Sequence, residues 1–263
     1  MHTHGTDVRD RALALLRTGA RNADIARDLG VPVGTVGYWL CRDRARRGTS
    51  PGAPDRPCPR CDGRPLDDTA YAYLLGLYLG DGHIVRYSGH RVPSLMITCA
   101  DAWPGLMGDC HRAMSAVFPH NKVCSVARTG CHNVKVYSRH LPCLFPQHGP
   151  GPKHERAIRL ETWQQGIVDA YPWPFIRGLV HSDGCRITNW TARTTGGVTK
   201  RYEYPRYFFT NRSADIIRLF CDTLDRVGVE WRAGGQRARA AKNISVARRA
   251  SVALMDAHVG PKY

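Results

Sequence analysis

Leu74–Gly82 reads LLGLYLGDG and Ile176–Gly184 reads IRGLVHSDG, so one pattern, an apolar run closed by Asp-Gly, occurs twice in the chain. The run 70–81 is apolar on nearly every face, the mark of a helix covered on all sides. At about 12 residues it falls short of the ~20 needed to cross a bilayer. Gly76 and Gly80, like Gly178 and Ser182, are spaced i and i+4. Each helix therefore carries small residues on one face, and two such faces can meet backbone to backbone. Gly82 and Gly184 are expected to end the helices by adopting positive φ. Asp81 and Asp183 then fall at helix C-termini, where the macrodipole disfavours a negative charge by some tenths of a kcal/mol. Carboxylates placed there are better explained by a role other than stability. If the two helices pair, their carboxylates arrive side by side, and like charges held close need a cation or shared protons. Mg²⁺ suits such a site, since it takes one or two carboxylates together with substrate phosphates.

The two copies resemble the paired LAGLIDADG motifs of single-chain homing endonucleases. The approach to the second copy is similar too, with Lys153 and Arg156 ahead of Trp163 and then PFIRGLVHSDG, and the aspartates lie 102 residues apart (183 − 81). The resemblance covers residues 67–263. It implies an α+β fold, a pseudo-twofold pair of αββαββα halves whose antiparallel sheets form a saddle over double-stranded DNA. It also implies a monomer with an internal pseudo-dimer, cutting one phosphodiester in each strand with Mg²⁺. Asp81 and Asp183 would be the catalytic metal ligands, and the carbonyls of Gly80 and Ser182, at frayed helix ends, could complete the coordination. Lys135, Asn211 and Lys242 are polar candidates by strand position; an ordinary DNA-facing role is at least as good a reading of each. His83 and His181 flank the aspartates and read as solvated neighbours.

Two other classes compete. A non-cleaving DNA-binding transcriptional regulator could be built on the same fold, as in relatives that join a helix-turn-helix to a LAGLIDADG fold without its carboxylates. Retention of both aspartates favours the enzyme. An RNA maturase fits poorly with a duplex reader, and an intein would need the Cys or Ser start and His-Asn end that splicing uses.

Composition agrees with a nucleic-acid partner. The 263 residues carry a formal net charge of +16, and six of the 38 basic residues are lysine, leaving 32 arginines. A polyanion is the usual partner of such a charge, because neutralising phosphates releases counterions. Arginine also offers forked donors for phosphate and guanine. The apolar fraction of 43% is enough for a real core. No signal-like apolar stretch opens MHTHGTDVRD, and no membrane span is expected. Ten cysteines without a secretory signal read as reduced thiols in a cytoplasmic, nucleoid-associated bacterial protein.

Residues 1–48 read as a helix-turn-helix. A helical stripe of Val8, Ala12, Leu15 and Leu16 is broken by Gly19. Asn22 is the expected N-cap of a second helix, and Pro32 opens a third with Val33, Val36, Trp39 and Leu40 inward. In that motif the start of the last helix meets base edges. Thr35 and Tyr38 would then face DNA, with Arg42, Arg44, Arg46 and Arg47 on phosphates. Gly34 and Gly37 leave few base-reading side chains, so modest specificity is expected.

Residues 49–66 form a linker with a cysteine knuckle, since 48–57 is rich in Gly, Pro and Ser. Cys58-Pro-Arg-Cys61 is half of a tetrahedral zinc site, with Cys41 as a candidate third ligand. With no second Cys-x-x-Cys or matching His pair evident, two free thiols in a turn are favoured over Zn²⁺. The remainder divides into a first half at 67–146, a connection at 147–160 and a second half at 161–263. Expected strands lie at 83–87, 94–99, 123–128 and 133–137, then 186–191, 207–211, 230–233 and 243–247. Helices are expected at 103–118, near Leu141, at 214–227 and at the end of the chain.

Overall fold

In the computed structural model, residues 5–47, 58–85, 92–234 and 242–263 are described, and the chain divides between Arg56 and Pro57 into two units. The expected linker 48–57 and the far end of the first expected strand, 86–87, lie outside the described residues. So does the side chain of Lys242. No helix of the described residues is long and apolar enough to cross a membrane.

The first unit consists of α1 (Thr6–Arg17), α2 (Asn22–Asp28) and α3 (Val33–Arg46). Its small core is Ala12, Ile25, Ala26, Val31, Val36 and Trp39. Gly19 and Gly30 take positive φ at the two turns, and an ion pair of 3.2 Å from Arg17 to Asp43 ties α1 to α3. Two expectations are corrected. Asn22 is the first helical residue; Arg21 holds the cap position and pairs with Asp24 at 3.0 Å. Val33 is 51% exposed, because in the first turn of α3 it lies off the stripe that carries Val36 and Trp39.

The second unit opens with the single turn α4 (Pro59–Asp62) and then runs through the same element order twice. The first half is α5 (Asp68–Leu79), β1 (His83–Val85), β2 (Ser94–Ala100), α6 (Pro104–Val117), β3 (Val123–Arg128), β4 (Cys131–Tyr137) and α7 (Leu141–Leu144). Then α8 (Thr162–Ala170), which sequence reasoning missed, leads into the second half. That half is α9 (Pro172–Asp183), β5 (Gly184–Thr195), β6 (Val198–Asn211), α10 (Ala214–Arg226), β7 (Arg232–Ala233), β8 (Lys242–Val246) and α11 (Arg249–His258). The sheets are ordered β1-β2-β4-β3 and β5-β6-β8-β7, with every pairing antiparallel. Identical strand order in both halves is the structural form of the sequence repeat.

One apolar core runs through both halves. Tyr71–Leu79 of α5 is buried along its whole length, as an all-round apolar helix requires. Asp67 caps α5 by accepting from the Ala70 N–H at 2.9 Å. The sheets cover this core with one face each. On β6, Tyr207 and Phe209 point inward, leaving Arg206, Phe208 and Thr210 on the open face, as period-two alternation demands. The connection is pinned by a buried amide pair. Gln164 donates to the Tyr71 hydroxyl at 2.6 Å, and Gln147 donates to the Arg159 carbonyl at 2.9 Å and to Gln164.

The β5–β6 hairpin is longer than the sequence pattern indicates. It pairs Gly184 with Phe209 and continues to Thr195 opposite Val198, turning at Gly196-Gly197, both at positive φ, the geometry of a tight hairpin. Its outer half is exposed on both faces, with Trp190 at 58% and Tyr202 at 49%. Arg201 lies over the Trp190 ring, and Arg206 over the Tyr204 and Phe208 rings.

Candidate active site at the paired helix ends

Helices α5 and α9 meet through their glycines. A Cβ added at Gly76 would lie 2.5 Å from the Phe175 carbonyl, and one at Gly178 would lie 2.2 Å from the Tyr73 carbonyl. No side chain fits there, so the backbones touch. One turn on, a Cβ at Gly80 would collide with Ser182 Oγ and sit 3.1 Å from Asp183 Oδ2. The Asp183 carboxylate thus reaches the end of the partner helix, next to Asp81. Gly82 and Gly184 play a different part from the one expected. Neither is at positive φ, and Gly184 is extended at φ −106°. They are glycine because a Cβ would meet Tyr78 Cα at 2.6 Å and Val180 Cα at 2.8 Å. The need is space for the first strand to fold back against its helix.

Asp183 senses the charge of Asp81. Asp183 is half-buried, and its pKa is raised by loss of water first and by the Asp81 charge second, against the pull of Asn211, Lys153 and Lys262. The same loss of water raises Asp81, whose open side faces solvent, and Lys262 and Lys153 oppose it.

Two lysines close the helix ends. Lys153 Nζ donates to the carbonyls of Tyr78, Leu79 and Gly80, with the Leu79 contact at 2.9 Å. Lys262 Nζ donates to the Ser182 carbonyl at 2.8 Å. The last carbonyls of a helix have no intrahelical partner, and here ammonium groups serve them. Burial lowers the Lys153 pKa to about 8, with Asp183 and Asp81 holding it up; burial lowers Lys262 in the same direction. Both lysines come from one tripeptide, Gly151-Pro152-Lys153 and Gly260-Pro261-Lys262, and both glycines are at positive φ, 76° and 72°. Sequence reasoning missed this second repeat as a site element. Its signal was a three-residue identity 109 residues apart (262 − 153) in a chain with six lysines.

Asn211 donates from Nδ2 to Asp183 Oδ2 at 2.6 Å, and its Oδ1 accepts from the Ser213 N–H at 2.8 Å, which fixes the amide's direction. By continuation of the β1–β2 register, Cys99 holds the equivalent place in the first half. Lys135 lies on the open face in line with Met96 and His83. There the charges of Lys153 and Lys135 add to burial in lowering the His83 pKa. Lys242 pairs with Asn211 through the backbone. His181 is buried, with Nδ1 2.9 Å from the Tyr73 hydroxyl, so it belongs to the core. In the first unit Tyr38 is 60% exposed, Thr35 is half-buried, and Arg42, Arg44 and Arg46 are exposed. Arg47 is exposed but bound to Asp43 at 2.6 Å. Cys58 and Cys61 converge with His140 and Cys143, in place of the expected third ligand Cys41.

No family model matches the sequence, and no curated protein matches it. Among solved structures the chain is similar to mesophilic variants of the homing endonuclease I-DmoI, with a TM-score of 0.50 and 16% identity over 73% of this chain and 89% of that one. It is equally similar to I-DmoI in complex with DNA and Mn, with a TM-score of 0.50 and 16% identity over 74% of this chain and 98% of that one. The second unit has the LAGLIDADG homing-endonuclease fold.

Proposed function

We propose that the chain is a site-specific, divalent-metal-dependent endonuclease that cuts both strands of duplex DNA. The carrying observation is the carboxylate pair at the ends of two glycine-faced helices, flanked by a matched pair of lysines. Two carboxylates with raised pKa values beside the helix-end carbonyls of Gly80 and Ser182 form a hard oxygen donor set that draws cations, here two ammonium groups, and this suits Mg²⁺. Asp81 and Asp183 would hold the ion, and Gly80 and Ser182 would lend their carbonyls once Lys153 and Lys262 swing aside. When bound, it would polarise phosphate oxygens and acidify water.

The chain's own groups do the rest. Asn211 holds Asp183 in one orientation. Lys153 and Lys262 can turn from the carbonyls toward phosphate oxygens, placing positive charge where negative charge develops. The β5–β6 ribbon offers Arg193, Lys200, Arg201 and Arg206 among exposed aromatics, suited to a duplex groove. I-DmoI has been solved with DNA and Mn, which supports DNA and a divalent ion as the ligands to test. The first unit would act as a helix-turn-helix, with Thr35 and Tyr38 at base edges and Arg42, Arg44 and Arg46 on phosphates. The boundaries proposed for the working parts are 1–48, 49–66, 67–146, 147–160 and 161–263, within a cytoplasmic, nucleoid-associated monomer.

One observation favours the second reading, a non-cleaving DNA-binding regulator. Ammonium groups already occupy the Gly80 and Ser182 carbonyls that an ion would use. Incubating the protein with a random duplex library and Mg²⁺ or Mn²⁺, then sequencing the ends, separates the two. The enzyme yields staggered ends at one site, lost in Asp81→Asn and Asp183→Asn while binding persists. Binding without new ends selects the regulator, and cleavage retained by either variant refutes the metal roles.

A further inference from the structure

Two single-turn helices from distant parts of the chain meet at their cysteines. Cys58 precedes α4 and Cys61 lies within it, in Cys-Pro-Arg-Cys, while His140 precedes α7 and Cys143 lies within it, in His-Leu-Pro-Cys. The ligand atoms of all four lie within 4.8 Å of one another. Cys61 Sγ is 3.5 Å from Cys143 Sγ and 3.8 Å from His140 Nδ1, and Cys143 Sγ is 4.0 Å from the same nitrogen. A disulfide would need a sulfur separation of about 2.05 Å, and all ten cysteines are free. A tetrahedron with metal–sulfur bonds of about 2.3 Å has edges of about 3.8 Å. The observed separations match those edges.

The surroundings ask for such a centre. A four-residue helix does not hold itself together in water, where isolated helices shorter than about 12 residues are marginal, yet α4 and α7 are each four residues long. Local bonds prepare both knuckles. Asp62 Oδ2 accepts from the Cys58 N–H at 2.6 Å, Gly63 ends α4 at φ 62°, and Ser138 Oγ accepts from the His140 N–H at 3.1 Å. Cys58 is buried and Leu141 and Leu144 anchor α7 in the core, so only Cys61 is exposed among the three thiols.

We propose that Cys58, Cys61, His140 and Cys143 bind one structural Zn²⁺ ion. Four protein ligands close the coordination shell and leave no open position for catalysis. The ion staples the entry to the second unit onto the end of its first half. There α7 is one turn long where α11 has ten residues. The four ligands lie apart from the paired aspartates and would hold the ion whether or not the chain cuts DNA.

The test uses the full-length protein purified under reducing conditions from zinc-supplemented cells. Elemental analysis should find about one zinc per chain. Replacement by Co²⁺ should give the visible bands of a tetrahedral thiolate site. Cys61→Ser and Cys143→Ser should each cut zinc retention at least about tenfold, while Cys131→Ser, outside the cluster, keeps it. Should the serine variants misfold, chelation of the wild type gives the same reading: zinc release measured by a chromogenic chelator, with a fall in melting temperature that re-added zinc reverses. Folded wild type that holds no zinc and gives no cobalt bands overturns the proposal, as does iron with acid-labile sulfide in its place.

Discussion

Replacing Gly178 with Ala tests the helix seam on which the carboxylate pair depends. In a helix interior, Gly to Ala is intrinsically favourable by about 1 kcal/mol. At position 178 the new methyl would sit 2.2 Å from the Tyr73 carbonyl, 2.9 Å from the Leu77 nitrogen and 3.0 Å from Gly76 Cα. All three are backbone, so no side chain can turn away, and the helices must part by more than about 1 Å to reach ordinary contact. Overpacking costs about 1–3 kcal/mol, and a backbone-to-backbone clash belongs at or above the top of that range. The net loss should be about 2 kcal/mol. Gly166 in α8 is the matched control, since a Cβ there meets nothing within 4 Å, and Gly166→Ala should gain about 0.5–1 kcal/mol. Urea unfolding of the three proteins should separate the two variants by about 3 kcal/mol, more than a hundredfold in folding equilibrium. Parting the seam should also abolish metal-dependent cleavage. A Gly178→Ala protein as stable as wild type would refute the close packing of α5 and α9.

Other outcomes follow from single contacts. Lys153→Met removes an ammonium from the carboxylate site and should slow cleavage at least about tenfold, near 1.4 kcal/mol in barrier, with DNA affinity held within about twofold in a gel-shift titration. Replacing Arg42, Arg44, Arg46 and Arg47 together with Ala should weaken DNA binding and lower the slope of log K against log salt by about 3, since Arg47 is engaged by Asp43 and three free charges contribute; an unchanged slope rejects the helix-turn-helix assignment. Asp256 accepts from Arg186 at 2.6 and 2.9 Å and from the Tyr207 hydroxyl at 2.6 Å, and the arginine holds its carboxyl below the usual range. The stability this lends is full above the ordinary carboxylate pKa near 3.9 and is lost as pH falls through the lowered folded value. Urea melts as pH falls from 6 to 3 should show the onset of that loss in wild type, and Asp256→Asn should lack this contribution.

Much of the fold was legible because both halves obey simple periods. The all-apolar α5 could only be interior, and the strands that line the core alternate cleanly, so their expected positions match within a few residues. Alternation fails where both faces are wet. The outer β5–β6 ribbon carries Arg193, Thr194, Lys200 and Arg201 with no buried side, so nothing in the pattern announced its length. The glycines after each aspartate are legible as helix enders, but their physical cause is different: they make room for a strand and adopt no left-handed turn. The zinc ligands were half visible. Cys-Pro-Arg-Cys stands out, but His-Leu-Pro-Cys lies 79 residues later (140 − 61), and only the fold joins them.

The backbone of the site repeats in the two halves, but its chemistry differs between them. The helices, the glycine contacts and the two Gly-Pro-Lys elements keep the symmetry, because each is required for the backbones to meet and the helix ends to be satisfied. Around the aspartates the symmetry is broken: Asn211 holds Asp183, whereas Cys99 stands at the matching place near Asp81. A thiol cannot replace an amide that donates to a carboxylate while being held by a backbone N–H on its other side. Asp183 is thus the carboxylate oriented by an amide, and Asp81 is the more exposed of the two. Under the endonuclease reading, the strand served by the better-ordered carboxylate is cut first, and nicked duplex accumulates before the double-strand break.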